Sequence, residues 1–441
     1  MIVAVAFVPL AIWVYLLIGR GGFWLCRERE DSVAPSDVRR AAFGSNRHRE
    51  ERSDAAIQES PGARRSPGLL RFARNDDCGS SRVQSAPSHE QDTWPTVVAI
   101  IPARDEVETI ARTVGSLLRQ DYRGAFSVVV VDDQSTDGTA DAALAAAGEA
   151  GAADRLQIVS GTGPSPGWTG KLSAMGQGLA EVESGTGKPD FVLFTDADIA
   201  YAPHVLSRLV AIACGNGSVL TSLMVKLRCE SAAELWLAPA FVFFFQMLYP
   251  FAWVNDPRRT TAAAAGGSML VKREALQAAG GLQAVRGALI DDCALGALMK
   301  GQGPIWLGLT GSVESLRDYK SIADFGRMVA RSAFAELRYS SLRLVGAIAG
   351  MALVYIAPPL FALLARGPAQ AAGALAWAMM ALSFMPTLRL YRRPLAGAFA
   401  LPAIAAVYVA FTFISALQYW RGRGGYWKGR VQAPMRETGR A

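Results

Sequence analysis

The chain has 441 residues, of which 51% are hydrophobic, and its mean hydropathy of +0.20 is too high for an ordinary soluble protein of this length. Membrane segments are therefore expected beside one large domain. The net charge of +7 favours binding to anionic lipids or phosphates, and no nucleic-acid-binding motif occurs. The five cysteines are scattered and include no CxxC pair, so they indicate neither a zinc site nor a disulfide framework.

Residues 1–19 predict a transmembrane anchor. Residues 2–18 are apolar, and the arginines Arg20, Arg27 and Arg29 follow this run instead of preceding it. A cleaved signal peptide carries its charges before the apolar core. We therefore expect an uncleaved anchor whose N terminus lies outside and whose following chain lies in the cytoplasm.

Residues 20–95 are assigned to a disordered linker or insertion. The part from about residue 27 to residue 91 is rich in Arg, Ser, Asp and Pro, contains no Lys and has no sustained hydrophobic period. Such a segment cannot bury enough apolar surface to fold alone, so disorder and no catalytic role are predicted. The alternative is an arginine-rich arm that lies on a membrane surface.

Alternating strands and helices predict an α/β domain over residues 96–340. The predicted strands are 97–102, 127–131, 156–159 and 191–195, and the predicted helices are 107–120, 140–150 and 172–183. Apolar strands that alternate with helices form right-handed βαβ units and a mostly parallel sheet. Ligands of such sheets gather at the carboxyl ends of the strands.

An apolar run at 235–254 lies inside this domain. It contains Phe243, Phe244 and Phe245 together with two tryptophans. A membrane span here would separate the two halves of the domain. We therefore predict an aromatic helix that lies in the bilayer interface, with a buried core helix as the alternative.

The residues after 340 predict a membrane region, 341–420, and a basic tail, 421–441. The apolar segments 344–364, 369–385 and 395–417 are long enough, or nearly so, to span a bilayer. Arginines before the last segment and in the tail both favour the cytoplasmic side, which conflicts with one anchor plus three spans. We predict two to three C-terminal spans, and a re-entrant hairpin near Pro358-Pro359 would resolve the conflict.

The candidate site is an ordered series of acidic residues, each of which we place after a strand. The series comprises Asp105-Glu106, Asp132-Asp133, Asp196-Ala197-Asp198 and Asp291-Asp292. Carboxylates separated by one residue repel each other, and Mg²⁺ or Mn²⁺ held against a phosphate is the usual compensation. A solvated acidic turn would account for Asp196 and Asp198 alone but not for the whole series. The series predicts a metal–phosphate site.

The sequence does not contain the residues that a serine hydrolase, a dinucleotide-binding fold or a P-loop protein requires. His204 is the one histidine outside residues 27–91, so a serine hydrolase is not indicated. Neither GxGxxG after the first strand nor GxxxxGK[ST] anywhere occurs, which leaves no dinucleotide fingerprint and no P-loop. The segment GWTGK at 167–171 offers small residues and one cation, Lys171, which suit a diphosphate.

Five segments together resemble the family 2 glycosyltransferases of the GT-A fold. They are PARDE at 102–106, VDDQSTDGT at 131–139, GWTGK at 167–171, FTDAD at 194–198 and IDD at 290–292. GWTGK, the apolar start and the apolar tail look most like the hopanoid-associated glycosyltransferases of bacteria, and ceramide glucosyltransferases have a similar layout. The resemblance implies a nucleotide-sugar-binding GT-A domain that faces the cytoplasm from a bacterial inner membrane.

The resemblance also implies roles for the acidic residues. Asp105, Asp132 and Asp133 would bind the nucleotide, Asp133 through its uracil or ribose. Asp198 would bind the divalent metal, and Asp196 would support the metal or the donor sugar.

The remaining implied roles concern transfer itself. Lys171 and Asp291 would contact the donor, and Asp292 would be the general base, because the family pattern places the base second. Family members invert the anomeric configuration. Arg338 stands where processive polysaccharide synthases carry the Arg of QxxRW, but Ala335 and Tyr339 replace the Gln and Trp. Arg338 could contact the diphosphate, or it could simply flank a span.

The predicted function is transfer of a single sugar from a nucleotide sugar, a UDP-sugar by resemblance, to the hydroxyl of a membrane lipid such as a hopanoid. Two alternatives stay open. One is a polysaccharide synthase or exporter, against which the incomplete QxxRW motif speaks. The other is a non-catalytic scaffold that binds a nucleotide sugar, against which the intact acidic series speaks.

Overall fold

One eight-stranded sheet organises the α/β part of the chain. The structure, a computed structural model, describes residues 2–32, 94–427 and 430–431. The strands are β1 (Val97–Ala103), β2 (Phe126–Asp132), β3 (Leu156–Ser160), β4 (Phe191–Thr195), β5 (Ile199–Tyr201), β6 (Leu220–Lys226), β7 (Ser268–Lys272) and β8 (Ile305–Ser315). They lie side by side in the order β3-β2-β1-β4-β7-β6-β8-β5.

The sheet is mostly parallel, as predicted. Parallel pairings join β1 to β2 and β4, β2 to β3, and β6 to β8. The strand β7 lies antiparallel between β4 and β6, and β5 pairs antiparallel with β8. The four strands predicted from the sequence correspond to β1–β4, and their carboxyl ends meet at one edge.

Helices cover both faces of the sheet. They are α2 (Ile110–Leu118), α3 (Thr139–Glu149), α4 (Gly170–Ser184), α5 (Val205–Asn216), α6 (Ala232–Leu248), α7 (Phe251–Asn255), α8 (Arg273–Ala278), α9 (Asp291–Lys300) and α10 (Ile322–Glu336). Apolar residues of α2, α3 and α5 form one core against the sheet. Residues of α4, α6 and α9 form a second core on the opposite face, and this core continues into the C-terminal helices.

Three C-terminal helices are long and apolar enough to cross a membrane. They are α11 (Ser341–Leu364), α12 (Pro368–Leu390) and α13 (Leu395–Trp420, whose first turns are a 3₁₀ helix). The shorter α1 (Ile2–Ile18) has 17 residues and packs against α12. The helix α11 does not break at Pro358-Pro359, because a π-helical stretch at Ala352–Ile356 directly precedes the prolines and the helix continues to Leu364.

The run at 235–254 differs from its prediction. It forms two helices, α6 and α7, and α6 begins at a capping box made by Ser231 and Glu234. Phe243 is fully buried, and its ring lies 5.5 Å from that of Phe23 and 5.2 Å from that of Phe384. This burial between the sheet and the C-terminal helices corresponds to the core-helix alternative, and the depth of α6 in a bilayer stays a prediction.

The start of the predicted linker is also corrected. Residues 20–32 are ordered and lie against the domain: the Leu309 amide donates to the Glu28 carbonyl at 2.7 Å, and Arg29 bridges to Leu309 as a parallel pair. The hydroxyl of Thr310 donates to the buried carboxylate of Glu30 at 2.9 Å. Pairing with an edge of β8 supplies the burial that composition alone did not reveal. The rest of the predicted linker, residues 33–93, and most of the basic tail lie outside the described residues.

Candidate functional site

The loops after β1 and β2 are fastened to each other and place three of the predicted aspartates together. The Thr136 amide donates to Asp105 Oδ1 at 2.9 Å, and the Asp105 amide donates to Ser135 Oγ at 3.0 Å. Asp132 Oδ1 accepts from the Ser135 amide at 2.9 Å. The Asp133 amide donates to the carbonyl of Ala103 at the end of β1, at 2.8 Å. The sequence correctly predicted that these carboxylates share one edge of the sheet.

Lys171 is the centre of a second acidic group. Its Nζ lies 2.7 Å from Asp196 Oδ1 and 3.2 Å from Asp291 Oδ2, and Asp292 is also close enough to influence its charge. Burial alone would lower the pKa of Lys171, but the three carboxylates outweigh burial and raise it. The lysine therefore stays charged and joins the end of β4 to the start of α9.

Asp292 has the surroundings of a base. Its Oδ2 accepts from the Gly266 amide at 2.9 Å, and its Oδ1 accepts from the Cys293 amide at 2.8 Å. Burial and the neighbouring charge of Asp291 raise the pKa of Asp292 to about 6. A carboxyl group with this pKa is ionised at neutral pH yet basic enough to accept a proton in a transition state.

The placement of Asp291 and Asp292 after a strand is wrong. They occupy the first turn of α9. Carboxylates are favoured there because the N terminus of a helix carries partial positive charge and unpaired amides. The sequence offered only the spacing of an acidic pair, and this spacing does not distinguish a strand end from a helix start.

Arg317 is a site residue that the sequence reasoning missed. Its Nε donates to Asp198 Oδ2 and its Nη2 donates to Glu106 Oε1, both at 2.7 Å. The arginine follows β8 and so joins the loop after β1 to the acidic pair after β4. Its position two residues after a long strand was the available signal, but no recognised motif contains it.

The residues fit a divalent cation, and the fit can be judged from charge and ligand chemistry. Among the described residues, no group of three or more His, Cys, Asp or Glu side chains has the arrangement needed to hold a metal ion by itself. Asp196 and Asp198 still provide two hard oxygen ligands, and Mg²⁺ is commonly held by one or two carboxylates plus substrate phosphates. The carboxylates of the Lys171 and Arg317 groups outnumber these two cations, which favours an additional cation. Binding of a metal through Oδ2 of Asp198 would require Arg317 to release that oxygen.

Arg338 is not brought into this constellation. It follows the end of α10 in a left-handed conformation with φ of +51°, and it is exposed. It is absent from the walls of the cavity that Asp196, Asp198, Asp291 and Asp292 line. Its predicted contact with a diphosphate stays a prediction.

A mainly apolar chamber of about 450 Å³ opens at the carboxylates. Lys171, Asp196, Asp198, Asp291 and Asp292 lie at its polar end. Its other walls come from the aromatic side of α6, from α10 and α11, and from α13. The chamber therefore connects the acidic site to the helices that are apolar enough to span a membrane.

One polar pair interrupts the apolar walls of the chamber. The hydroxyl of Tyr249, directly after α6, donates a hydrogen bond to the carboxylate of Glu336 at the end of α10. Burial and the neighbouring thiol of Cys293 raise the pKa of Tyr249. Because Cys293 follows Asp292, this pair lies on the side of the chamber next to Asp292.

Comparison with known proteins identifies the domain. Residues 95–305 match the family model described as "Glycosyltransferase like family 2". Residues 95–305 form a family 2 glycosyltransferase domain. A curated N-acetylglucosaminyltransferase of Mesorhizobium japonicum is 32% identical over 147 residues, which are 33% of this chain and 32% of that relative. The family 2 prediction is confirmed, and the hopanoid-associated subgroup stays a prediction.

Solved glycosyltransferase structures are similar to this chain at low identity. The mannosyltransferase PcManGT of Pyrobaculum calidifontis, in complex with GDP-Man and Mn²⁺, is 19% identical with a TM-score of 0.43, over 86% of this chain and 96% of that one. TarS of S. aureus, in complex with UDP-GlcNAc, is 15% identical with a TM-score of 0.34, over 78% of this chain and 97% of that one.

Proposed function

We propose that this family 2 glycosyltransferase is an inverting, membrane-bound enzyme that transfers one sugar from a nucleoside-diphosphate sugar to the hydroxyl of a membrane lipid. The observation that carries the proposal is the chamber that runs from Asp292 to the apolar helices α11 and α13. An apolar chamber favours an apolar body in the acceptor, and the polar end leaves room for its hydroxyl. A soluble acceptor would gain nothing from these walls.

Asp292 would act as the general base. One of its carboxylate oxygens takes the proton of the acceptor hydroxyl while the acceptor oxygen forms a bond to the anomeric carbon. The bond from that carbon to the diphosphate oxygen breaks, and the electron pair leaves with the nucleotide. Attack opposite the leaving group inverts the configuration. The backbone amides of Gly266 and Cys293 hold the carboxylate in place during this step.

The two cations of the site would hold the donor. Lys171 and Arg317 lie where negative charge develops on the departing diphosphate, and fixed cations in a partly buried site stabilise such charge effectively. A divalent Mg²⁺ or Mn²⁺ held by Asp198 and Asp196 would supply further stabilisation of that charge when bound. The aspartates Asp105, Asp132 and Asp133 would bind the nucleoside, whose uracil N–H and ribose hydroxyls are donors.

The donor and acceptor candidates follow from the relatives and from the resemblance. Similar proteins include an N-acetylglucosaminyltransferase, a mannosyltransferase in complex with GDP-Man and TarS in complex with UDP-GlcNAc, so UDP-N-acetylglucosamine and GDP-mannose are the first donors to test. A hopanoid is the first acceptor to test. We place the enzyme in a bacterial inner membrane with its glycosyltransferase domain in the cytoplasm, as the positions of the arginines favour.

The experiment is transfer by the purified full chain. The protein is incubated in detergent with each labelled nucleotide sugar, a divalent metal and a bacterial lipid extract, and the lipids are analysed by mass spectrometry. A lipid whose mass increases by one sugar residue, absent with Asp292→Asn, supports the proposal. A product with many sugar residues would instead establish a polysaccharide synthase. Donor binding with no product in any extract would establish the scaffold alternative.

A further inference from the structure

A second cavity, of about 570 Å³, lies apart from the apolar chamber described above and shares no wall residue with it. Its walls come from three parts of the chain: the segment after α1, with Trp24 and Arg29; the sheet, with Lys226 at the end of β6; and the C-terminal end of α12, with Arg389 and Arg392. Four cationic side chains from three segments thus surround one space, and no role in glycosyl transfer accounts for them.

The cations of this cavity are incompletely neutralised. Arg29 pairs with Asp31 at 2.6 Å, and Lys226 pairs with Glu314 at 2.9 Å. Arg389 and Arg392 are exposed, and neither forms an ion pair with any residue that the structure describes. Arg389 lies in the last turn of α12, where it also complements the helix dipole. The dipole explains one cation at this place, whereas the cavity gathers four.

The walls are fixed relative to each other. The amide of Leu227, directly after β6, donates to the hydroxyl of Tyr391 at 3.2 Å, which ties the end of α12 to the sheet. The thiol of Cys26 lies 3.7 Å from the hydroxyl of Thr387, which ties the segment after α1 to the same helix. The segments that carry the four cations are therefore held together around one space.

The position of the cavity indicates the kind of anion. The 23 residues of α12 extend about 35 Å, which is enough to cross the hydrocarbon core of a bilayer. Arg389 and Arg392 stand at one end of this helix, and Trp24 stands beside them with its indole N–H donating to the Leu17 carbonyl at 3.1 Å. Aromatic and basic residues at a helix end belong to the headgroup layer, and basic cavities between membrane helices bind anionic headgroups.

We propose that this cavity binds the phosphate of an anionic phospholipid headgroup and so anchors the glycosyltransferase domain to its membrane. The proposal rests on the membrane placement of α12 but not on glycosyl transfer. A free phosphate ion would offer the cations the same oxygen atoms as the headgroup. A phospholipid differs from it because its acyl chains would also contact the apolar side of α12. The binding should weaken at high salt, because exposed ion pairs are screened.

The test is native mass spectrometry of the full chain in neutral detergent, titrated with phosphatidylglycerol or with phosphatidylcholine of the same acyl chains. We expect Arg389→Gln/Arg392→Gln to bind phosphatidylglycerol roughly thirtyfold more weakly, because one basic residue near an anionic surface contributes about fivefold. The matched control is Arg343→Gln/Arg366→Gln, which removes two exposed arginines at other ends of the membrane helices and should bind like the unaltered chain. Arg389→Lys/Arg392→Lys keeps the charge and should retain most of the binding.

Three results would overturn the proposal. They are equal binding by the Gln pair and its control, equal affinity for phosphatidylcholine, and displacement of the lipid by inorganic phosphate, which would assign the cavity to a free anion. If the Gln pair does not fold, the single variant Arg392→Gln is measured, with about fivefold weaker binding expected. None of these readouts requires transferase activity, so a failure of the proposed function leaves this test intact.

Discussion

Asp291 and Asp292 are neighbours in the chain but have different partners. Asp291 lies 3.2 Å from the ammonium group of Lys171 and forms an ion pair with it. Asp292 accepts two backbone hydrogen bonds, and burial raises its pKa to about 6. The assignment of Asp292 as the base, which rested on a family pattern, thus gains a physical argument from this geometry.

Replacing Asp292 should abolish most of the transfer and its pH dependence. Asp292→Asn should lower kcat by about 10²–10⁴-fold, the usual contribution of a general base. The base works when ionised, so the activity of the unaltered enzyme should fall as the pH decreases below about 6. Rates of labelled sugar transfer between pH 5 and 8 would be measured together with donor affinity, which should change little in this variant.

Asp291→Asn is the matched control for this prediction. It removes a charge at the adjacent position and should raise the KM for the donor, because Lys171 loses one of its partners. If Asp291→Asn instead lost kcat and Asp292→Asn kept it, the two roles would be exchanged.

Arg317 should compete with a divalent metal for Asp198. Because its guanidinium pairs with that carboxylate at 2.7 Å, the variant Arg317→Gln leaves an oxygen ligand open and adds net negative charge to the site. We expect the donor-free variant to bind Mn²⁺ several-fold more tightly, as measured by calorimetry. Arg331→Gln, which removes a cation of the chamber wall, should leave Mn²⁺ binding nearly unchanged. Unaltered affinity in Arg317→Gln would show that Arg317 and the metal do not compete for Asp198 Oδ2.

At the scale of residues, the sequence was informative about carboxylates and poor about cations. The aspartates after β1, β2 and β4 follow predicted strands, so their convergence could be predicted, whereas Asp291 and Asp292 begin a helix. Arg317 stands alone in its segment, and only the path of β8 brings it to Asp198. Arg338, chosen for its resemblance to a motif, is exposed after the end of α10 and lies outside the chamber walls.

At the scale of elements, the regular βαβ part of the sheet was predictable and its second half was not. The strands β1–β4 are apolar runs separated by helices, and they occur where predicted. The strand β7 has five residues, and its antiparallel place between β4 and β6 depends on long-range pairing. Similarly, the apolar composition of α6 favoured an interfacial helix and left a core helix as the alternative. The packing partners of Phe243 show that this part of α6 is buried in the core, and its depth in a bilayer stays a prediction.

The close packing of α4 on the sheet should depend on Gly178. A Cβ at this position would lie 2.7 Å from Ile100 Cγ2 and 2.8 Å from Val131 Cγ2, closer than carbon atoms normally approach. Both neighbours are β-branched residues of central strands with little freedom to rotate. We therefore expect Gly178→Ala to lower the free energy of unfolding by about 1–3 kcal/mol, the usual effect of overpacking, and to lower the Tm accordingly.

The helical residue Gly148 supplies the comparison for Gly178→Ala. A Cβ there meets nothing within 4 Å, so Gly148→Ala should raise the free energy of unfolding by about 0.4–1 kcal/mol through helix propensity and reduced freedom of the unfolded chain. Thermal unfolding in one detergent would compare the two variants. Stabilisation by both substitutions would show that α4 can move away from the sheet without loss.

At the scale of the whole molecule, the chamber arises from the packing of the C-terminal helices against the glycosyltransferase domain. Its walls include Lys171 near the start of α4 and Thr412 in α13, which are distant in sequence. The sequence predicted both the acidic site and the apolar helices, but no local pattern could show that one opens into the other. The residues after α1 add to the same assembly, since Glu30 is buried against β8.

Filling the chamber should separate lipid transfer from donor chemistry. Ala347 lies on the chamber side of α11, so Ala347→Trp would occupy space that the acceptor's apolar body needs. Val345, two residues earlier in the same helix, is 63% exposed, and Val345→Trp adds the same bulk outside the chamber. We expect Ala347→Trp to lower transfer to lipid at least tenfold, because each buried methylene contributes about 0.8 kcal/mol and the tryptophan would displace several methylenes of the acceptor. Val345→Trp should retain transfer.

Donor affinity and slow transfer of the sugar to water should persist in both variants, because neither residue touches the acidic group. Normal lipid transfer by Ala347→Trp would place the acceptor elsewhere and leave the chamber without its proposed role.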